Sequence, residues 1–326
     1  MEQQALAHQN LNCPICDSAS KRFGRHRNGL RRFRCLSCGK TFTEEHVRSF
    51  RVEDYLNEQR GLMAIRMLAE GCSVRTVERL TEIRRDSIIA TLLIAGRRCE
   101  KLMRSIRNVK ATDIQADEIW GFIGKKEKHK TAEEEKDDSI GDCYTWVAIE
   151  RHSKLVLAFV VGRRSSENAM QLMRQVRRAT SADTRFQLTT DGLEAYIAAV
   201  DEMLSDRCDY GQLVKSYAQP QEDERRYSPA VCNGSTKKII SGNPDESKIC
   251  TSHVERQNLT MRMQIRRLTR LTNAFSKKLE SHRAAIALHF AYYNFCRIHQ
   301  SLRVTPAMEA GIANRVWTLA ELLGAA

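Results

Sequence analysis

Two aspartates stand in short apolar runs, and this placement constrains the fold more than any other feature of the sequence. From about Val109 the spacing of apolar residues follows a period of two, which predicts strands at residues 114–123 and 185–190. Asp117 lies inside the first of these strands, and Asp191 directly follows the second. An acidic side chain in a buried strand is costly unless it is paired or bound to a metal. A fold that contains both strands therefore has to give these acids a partner.

The neighbouring segments supply the rest of a mixed sheet. The same patterns predict strands at residues 144–150 and 154–161, a helix that begins at Ser165, and a further helix after Asp191. Three strands, a helix, a strand and a helix follow one another in a ribonuclease-H-like α/β core. In that arrangement Asp117 lies on the strand next to Asp191, so the two carboxylates can meet.

Glu255 begins a strongly basic segment with the period of a helix. At about 100° per residue, one helix through Asn273 has a polar face and an apolar face whose centres lie about 110° apart. The polar face holds Glu255, Asn258, Leu259, Arg262, Arg266, Thr269 and Asn273, and the apolar face holds Val254, Met261, Ile265 and Leu268. Such a helix can pack on a sheet while it presents an acid followed by a basic track, which suits a metal ion beside a phosphate backbone. Carboxylates from separate segments can share two divalent metals, which activate a nucleophile and stabilise the leaving oxygen in phosphoryl transfer.

Four of the eleven cysteines have the spacing of metal ligands. Cys13 and Cys16 form one CxxC pair, and Cys35 and Cys38 form a second pair after eighteen further residues. This spacing brings four thiolates around one tetrahedral zinc, as in a zinc ribbon, and leaves a catalytic dithiol as the weaker alternative. An Asn-Gly hairpin signal lies at residues 28–29, within a basic and aromatic segment. The other seven cysteines are scattered and are predicted to be reduced thiols: Cys72, Cys99, Cys143, Cys208, Cys232, Cys250 and Cys296.

Residues 55–100 have helical periodicity with two interruptions. Ser73 is predicted to cap a short middle helix, and Arg84 and Arg85 would head a longer third helix. The inward residues of the middle helix are predicted to be Val74, Val77 and Leu80. This order is that of a helix-turn-helix, whose last helix enters the major groove of DNA. A plain helical bundle is the alternative.

The basic charge is clustered. Lys and Arg outnumber Asp and Glu by 53 to 40, which gives a net charge of +13. Residues 18–43 contain eight Lys or Arg and no acid, and residues 255–303 contain ten and two acids. A clustered excess suits a polyanionic partner, here double-stranded DNA, better than an ordinary basic surface does. The arginines expected to contact DNA are Arg25, Arg31, Arg32, Arg84, Arg85, Arg256, Arg262 and Arg266.

The sequence also bears on membrane contact and location. No apolar stretch approaches the ~20 residues that a transmembrane helix needs, and mean hydropathy is −0.48. The first residues lack the basic start and apolar core of a signal peptide. We therefore expect no membrane contact and a cytoplasmic location.

Two features keep alternatives open. Residues 219–250 are rich in Pro, Gly, Ser and charge, and are predicted to be a long loop or insertion without an assigned fold. Glu222, Glu224 and Glu246 in this segment remain alternatives to Glu255 as a third acid. Trp120 points to the opposite face of an ideal strand from Asp117, where packing under a helix is favoured over stacking on a base.

At this point the motifs resemble a known family. They are Asp-Glu-Ile-Trp at 117–120, Thr-Asp-Gly at 190–192 and Val-Glu-Arg-Gln-Asn-Leu at 254–259, in this order behind a zinc ribbon and a helix-turn-helix. The set is similar to bacterial insertion-sequence transposases with a DDE core, and most similar to the insertion-sequence-one group. Residues 292–307 also resemble the end of integrase-like cores. One departure is the 63 residues between Asp191 and Glu255, more than retroviral integrases have.

The resemblance implies a DNA transposase, a polynucleotidyl transferase that binds the ends of its element and cuts and joins DNA. It implies two Mg²⁺ or Mn²⁺ ions held by Asp117, Asp191 and Glu255, in addition to the ribbon's zinc. A homo-oligomer on DNA, in the nucleoid of a bacterium, is expected. Two other functions stay open, namely a DNA-binding regulator that has lost catalysis and a ribonuclease or Holliday-junction nuclease of the same fold.

These interpretations divide the chain into four parts. The first two are the zinc ribbon at 1–48 and the helix-turn-helix domain at 49–108. The ribonuclease-H-like catalytic core follows at 109–308, with an insertion at about 219–250, and a helical C-terminal tail occupies 309–326. We therefore expect an α/β catalytic core behind two small DNA-binding modules.

Overall fold

The computed structural model describes residues 11–26, 29–44, 55–56, 58–218 and 231–324. The chain divides into two units, Met1–Arg51 and Val52–Ala326. Each unit contains a sheet of its own.

The first unit is built on a three-stranded antiparallel sheet in the order β1-β2-β3. Its strands are β1 (Ser20–Arg25), β2 (Arg31–Cys35) and β3 (Thr41–Thr43). Phe33 is buried, and its ring stacks on Phe42 with 5.7 Å between the centroids. The start of β1 pairs with the end of β2 through Ser20 and Cys35, so the two CxxC turns meet at one end of the sheet. Asn28 of the predicted hairpin turn lies outside the described residues.

The second unit begins with three helices, α1 (Gln59–Ala69), α2 (Val74–Thr81) and α3 (Arg85–Ser105). The hydroxyl of Ser73 accepts a hydrogen bond from the N–H of Thr76 at 3.0 Å and caps α2, as predicted. Val77 is buried between the helices, but Leu80 is 66% exposed, so its predicted inward position is wrong. At about 100° per residue, Thr81 lies about 40° from Val77 around the helix and Leu80 about 60°. Thr81 is therefore the residue that turns inward, and it is buried.

A six-stranded sheet forms the centre of the second unit, in the order β6-β5-β4-β7-β8-β9. The strands are β4 (Asp113–Ile123), β5 (Gly141–Glu150), β6 (Val156–Gly162), β7 (Phe186–Thr190), β8 (Cys208–Ala218) and β9 (Val231–Ser241). β4 is antiparallel to β5 and parallel to β7, and β7 is parallel to β8. Helices α4 (Ser166–Ala179) and α5 (Ala195–Leu204) follow β6 and β7. The predicted mixed α/β fold, with three strands, a helix, a strand and a helix in this order, is confirmed.

The sequence does not predict the last two strands of this sheet. Residues 231–241 form β9, antiparallel to β8, so the predicted loop at 219–250 is wrong for this stretch. Residues 219–230 of that loop lie outside the described residues. Backbone hydrogen bonds to β8 hold β9 in the sheet. Side chains 232–239 are exposed, so the sequence of this strand has no alternation of polar and apolar residues that would predict it.

The helix that carries Glu255 is shorter than predicted. α6 spans Ser252–Gln264 and is followed by a 3-10 turn at Arg266–Leu268, so a single helix through Asn273 is wrong. Ile265 ends the helix with an extended backbone. The apolar face is nevertheless buried throughout, because the turn keeps its last two members against the core: Val254, Met261, Ile265 and Leu268.

Three further helices complete the unit, α7 (Leu279–Phe295), α8 (Pro306–Glu309) and α9 (Leu319–Gly324). α7 crosses α3 closely, since a Cβ placed at Gly96 would lie 2.4 Å from the Cα of Ala284. Buried Asn294 of α7 binds both backbone groups of Val156 in β6, at 2.9 and 3.0 Å. α1 and α3 therefore share a core with the sheet, whereas Val77 of α2 packs in a separate small cluster with Ala64 and Ile88. In the described part of the chain, no helix combines the length and apolar character required to span a bilayer.

Candidate active site

Three carboxylates meet where β4 and β7 run side by side. Asp117 and Glu118 lie in the middle of β4, and Asp191 directly follows β7. β7 pairs in parallel with residues 113–115, just before these acids. One carboxylate oxygen from each acid lies within 4.8 Å of the others, close enough to share a metal ion. The structure thus brings Asp117 and Asp191 together on neighbouring inner strands of the sheet.

Asp117 and Asp191 face an open cavity of about 770 Å³ between β4, β8 and the start of α6. Its charged lining residues are Asp117, Asp191, Glu194, Glu255, Arg164 and Lys215. Charged side chains of both signs from five separate chain segments therefore converge on one space.

Asp117 is held in place by two hydrogen bonds. Its Oδ1 accepts from the N–H of Glu118 and its Oδ2 accepts from the side-chain amide of Asn258, both at 2.8 Å. Burial raises the pKa of Asp117 to about 7, and the charges of Glu118, Asp191 and Glu255 add to the effect. A bound cation would relieve this repulsion and favour the ionised carboxylate.

Asp191 has a similar environment. Burial raises its pKa, against the opposing effects of a hydrogen bond from the N–H of Leu193 and the charge of Arg164. The Leu193 bond is 3.1 Å long, and a guanidinium nitrogen of Arg164 lies 3.9 Å from Asp191 Oδ2. The carboxylate is fixed by its own turn, while its second oxygen faces the cluster.

Glu118 is the member of the cluster that sequence reasoning missed. Neighbouring residues of a strand point to opposite faces, so alternation argued against a shared site with Asp117. Its carboxylate accepts from Arg164 at 2.6 Å and from the hydroxyl of Tyr196 at 3.2 Å. Burial and the charge of Asp191 raise its pKa, and Arg164 lowers it. The signal that could have found it is a second buried acid directly after Asp117.

Glu255 lies in the same cavity but outside the tight cluster. Its Oε1 accepts from the ammonium of Lys215 on β8 and from the hydroxyl of Thr251. The side chain is 42% exposed. Of the alternative acids, Glu246 is exposed in a 3-10 turn and does not line the cavity, and Glu222 and Glu224 lie outside the described residues. Of the two described alternatives for the third acid, Glu255 and Glu246, it is Glu255 that lines the cavity with Asp117 and Asp191.

Two amide side chains dock α6 against β4. Gln115 is fully buried two residues before Asp117, and its Oε1 accepts from the N–H groups of His253 and Val254 at 2.9 and 3.1 Å. It thereby satisfies two N-terminal donors of the helix. Asn258, one turn after these donors, binds Asp117. The helix that carries Glu255 is thus registered directly on the strand that carries Asp117.

Gln115→Leu is expected to lower both the free energy of unfolding and the rate of DNA cleavage. The fall in cleavage should be larger than the loss of stability alone would cause. Loss of the two bonds to α6 should lower the free energy of unfolding by about 1–3 kcal/mol. Displacement of Glu255 should slow DNA cleavage by about tenfold or more. Urea unfolding and cleavage rates measure the two effects.

Gln187→Leu is the matched control for this prediction. Gln187 of β7 is also buried, and its amide binds both backbone groups of Asp245, away from α6. It should lose similar stability and keep its cleavage rate. Equal cleavage by the two variants would show that the docking of α6 by Gln115 does not position the site.

The first unit holds a second cluster of ligand atoms. The sulfurs of Cys13, Cys16, Cys35 and Cys38 all lie within 4.8 Å of one another. The Sγ atoms of Cys13 and Cys38 are 3.7 Å apart, and those of Cys16 and Cys35 are 3.4 Å apart. Four sulfurs bound at about 2.3 Å to one tetrahedral zinc would lie about 3.8 Å apart. The cluster therefore has the size that a tetrahedral zinc site requires.

Backbone groups also favour thiolates at this cluster. The N–H groups of Ser37 and Cys38 both donate to Cys35 Sγ at 3.3 Å. The Cys38 amide, more than any other group, holds the pKa of the Cys35 thiol below its usual value. Thiolates are the form that binds metal.

The arginines predicted to contact DNA fall into two groups. Arg25, Arg84, Arg85, Arg256 and Arg266 are exposed, and Arg31, Arg32 and Arg262 are half-buried. In the first unit, Arg32 lies over the ring of Phe23 at 5.5 Å. Arg85 pairs with Glu78 at 3.0 Å, and Arg262 donates to the carbonyl of Leu268 and closes the turn after α6. Because α6 ends at Gln264, Arg266 is not on the helix of Glu255, and the predicted continuous basic track is wrong.

Two protein families match the chain. A family described as a DDE domain, of the IS240 type, matches residues 140–227, and a family described as IS1 transposase matches residues 235–296. The first match includes Asp191, and the second includes all of α6 with Glu255. No curated protein sequence matches the chain.

Solved structures of transposases are also similar to the chain. The piggyBac transposase synaptic complex with hairpin DNA has 11% identity and a TM-score of 0.35, over 86% of this chain and 73% of that chain. The Mos1 strand transfer complex has 12% identity and a TM-score of 0.22, over 51% of this chain and 60% of that chain.

Proposed function

We propose that this chain, a bacterial insertion-sequence DDE transposase related to the IS1 group, binds the ends of its element and catalyses cleavage and strand transfer of DNA. The observation that carries the proposal is the convergence of Asp117, Glu118 and Asp191 within 4.8 Å, beside a cavity that Asp117 and Asp191 line together with Glu255. A DDE transposase is a polynucleotidyl transferase.

The carboxylate cluster fits two divalent ions such as Mg²⁺ or Mn²⁺. Hard oxygen donors are the ligands these ions prefer. Burial raises the pKa values of Asp117, Glu118 and Asp191, and the charges of neighbouring acids add to this effect even though Arg164 opposes it at Glu118 and Asp191. When bound, the ions lower the pKa of water and stabilise the leaving oxygen.

The side chains of this site have separate tasks. Asp117 and Asp191 would hold the metal ions, and Glu255 would complete the ligand set from α6. Asn258 orients Asp117 through its hydrogen bond, and Arg164 orients Glu118 and limits the negative charge around Asp191. Lys215 forms an ion pair with Glu255 and offsets its charge. These roles require no nucleophilic side chain.

The reaction has two displacements at phosphorus. Water first attacks a phosphodiester at the end of the element and releases a 3′-hydroxyl. That hydroxyl then attacks a phosphodiester of target DNA and displaces a second 3′-hydroxyl. One phosphodiester is broken and one is formed in the second step, so no external energy source is needed.

The first unit and helices α1–α3 would hold the DNA end. The four cysteines would bind zinc and fix the basic sheet of the first unit, on which Arg25, Arg31 and Arg32 lie. The start of α3 would enter the major groove. Because an element has two ends, we propose that the chain acts as a homo-oligomer on DNA, in the cytoplasm and at the nucleoid.

A strand-transfer assay with a pre-cut end tests the function against its alternatives. In Mg²⁺, the purified chain should join a pre-cut end with a free 3′-hydroxyl to a second duplex. A ribonuclease-H-like nuclease would cut without joining, and a DNA-binding regulator would bind the end without either reaction. Failure to join pre-cut ends, with binding intact, would reject the transposase reaction.

Arg84 and Arg85 are expected to determine sequence preference. Both are exposed at the start of α3, and Glu78 partly neutralises Arg85, so Arg84 should have the larger effect. Arg84→Ala should reduce discrimination between end and random DNA by about 1–3 kcal/mol. Competition binding at several salt concentrations measures this change.

Arg266→Ala is the control for this prediction. It should weaken binding to all sequences alike. The slope of log affinity against log salt concentration should become shallower by about one, the change expected for one lost phosphate contact. A uniform loss of affinity in Arg84→Ala as well would mean that α3 does not read the bases.

A further inference from the structure

A groove beside the candidate active site combines aromatic rings with unpaired cations. The aromatic–basic groove has a volume of about 620 Å³ and is lined by Trp120, Gly121, Phe122, Lys126, Arg262, Arg267, residues 268–273 and Phe275. It lies at the end of β4, where the segment around Ser276 runs alongside Ile123. The active-site chemistry proposed above does not use these residues.

Three half-buried aromatic rings form one wall of the groove. The ring centroids of Trp120 and Phe122 are 5.7 Å apart, and those of Phe122 and Phe275 are 4.7 Å apart. Trp120 is absent from the hydrophobic core, so the predicted packing under a helix is wrong. β4 places its ring on an open surface instead. Partly exposed rings that touch one another offer faces on which a flat ligand can stack.

Cations surround these rings. The ammonium of Lys126 lies 5.7 Å from the centroid of the Trp120 ring, and that of Lys277 lies 4.2 Å from the Phe275 centroid. Arg262, Arg267 and Arg270 line the same groove. Among the residues that the structure describes, none of these five cations has an ion-pair partner, and no carboxylate lines the groove. The burial of Arg262 and the charge of Arg270 lower the pKa of Arg262 to about 10. The groove therefore lacks anions and suits a polyanionic ligand.

An exposed leucine stands at the rim of the groove. Leu271 is 90% exposed and has a φ of 56°, a left-handed conformation that a branched side chain rarely adopts. Arg270 precedes it in the same turn. A leucine held in solvent at a strained position next to a cation is suited to insert between stacked bases.

The groove lies at a defined distance from the acids. Trp120 follows Asp117 by three residues of β4, a rise of about 10 Å. Arg262 follows Glu255 by seven residues of α6, again a rise of about 10 Å. At about 3.4 Å per nucleotide of a duplex strand, this distance corresponds to about three nucleotides.

We propose that the aromatic–basic groove binds unpaired bases of one DNA strand, about three nucleotides from the phosphate at the acids, after Leu271 has separated them from the duplex. The proposal rests on the transposase function and adds a local opening of the DNA end to it. Aromatic faces accept any base, and the cations hold the phosphates between them. An acidic protein segment or an intact duplex are the competing occupants.

Rescue by unpaired DNA tests the role of Leu271. With the full chain and Mg²⁺, Leu271→Ser should slow cleavage of a fully paired end by about tenfold or more. Mismatches at the second to fourth nucleotides from the scissile phosphate should restore the rate to near that of the unchanged chain. Phe275→Ala should cleave slowly on both substrates, because the stacking surface itself is lost. Met263→Ser, which changes an exposed apolar residue outside the groove, should have no effect.

Permanganate oxidation separates this proposal from the transposase function. In the bound complex without Mg²⁺, thymines opposite the groove-bound bases should react with the unchanged chain and stay unreactive with Leu271→Ser. Reactive thymines without any cleavage in Mg²⁺ would reject the transposase reaction and leave the groove assignment standing. Cleavage without reactive thymines, or a Leu271→Ser variant that cleaves paired DNA normally, would overturn the groove assignment. Equal slowing of paired and mismatched ends would indicate a duplex or protein occupant instead, and would also overturn it.

Discussion

Asp117→Asn, Asp191→Asn and Glu255→Gln should each abolish cleavage and strand transfer, with rates lower by about a thousandfold or more. Each change keeps the shape of the side chain and removes the charge that metal binding requires. Because the acids act as one metal-holding unit, a double variant should be hardly slower than a single one. Cleavage of labelled end DNA and joining of pre-cut ends measure both reactions.

Folding and DNA binding provide the controls for these variants. Burial raises the pKa values of Asp117 and Asp191, and the charges of nearby acids add to it. Neutralising one of these carboxylates removes both the cost of burying its charge and the repulsion, so the thermal unfolding temperature without metal should not fall. End binding should survive, since we propose that the first unit and helices α1–α3 supply most of it.

Glu246→Gln is the matched control for the third acid. Glu246 is exposed in its turn and does not line the cavity, so its loss should leave both reactions intact. Retained strand transfer in Glu255→Gln, with loss in Glu246→Gln, Glu222→Gln or Glu224→Gln, would move the third ligand out of α6. Glu118→Gln should slow cleavage less than Asp117→Asn does, because Arg164 and Tyr196 already bind its carboxylate.

The elements predicted well from sequence are those with one buried face. β4 to β7 alternate strongly or are buried throughout, and Ser73 and Ser165 both cap the helices they were expected to cap. Asp117 could be identified because a buried strand makes an acid conspicuous. The neighbouring position of Asp191 then followed from strand order alone.

The features missed by sequence depend on tertiary contacts. β9 is held by backbone bonds to β8, and its exposed side chains carry no alternation. α6 has apolar residues at helical spacing beyond Gln264, yet Ile265 turns out of the helix while remaining buried. In the sequence Gln115 is an ordinary polar residue, because its role depends on hydrogen bonds from α6, which is distant in the chain.

Removing one thiolate of the first unit should unfold that unit and leave the second intact. Cys16→Ser and Cys38→Ser each take one of four sulfurs from a cluster of zinc dimensions. The described core of the unit is little more than Phe33 and Phe42, so metal binding has to supply most of its stability. End binding should therefore be lost, while unfolding of the second unit in urea is unchanged.

Metal content and a matched cysteine variant decide this prediction. The unchanged chain should be purified with one zinc per molecule, and strong chelation should reproduce the loss of end binding. Cys232→Ser changes an exposed cysteine of β9 outside both clusters, and it should keep the zinc and the binding. Freshly purified protein without zinc would reject the site outright. Normal end binding by a zinc-free Cys16→Ser chain would instead show that the first unit does not hold the DNA end, and would assign that role to the exposed arginines at the start of α3.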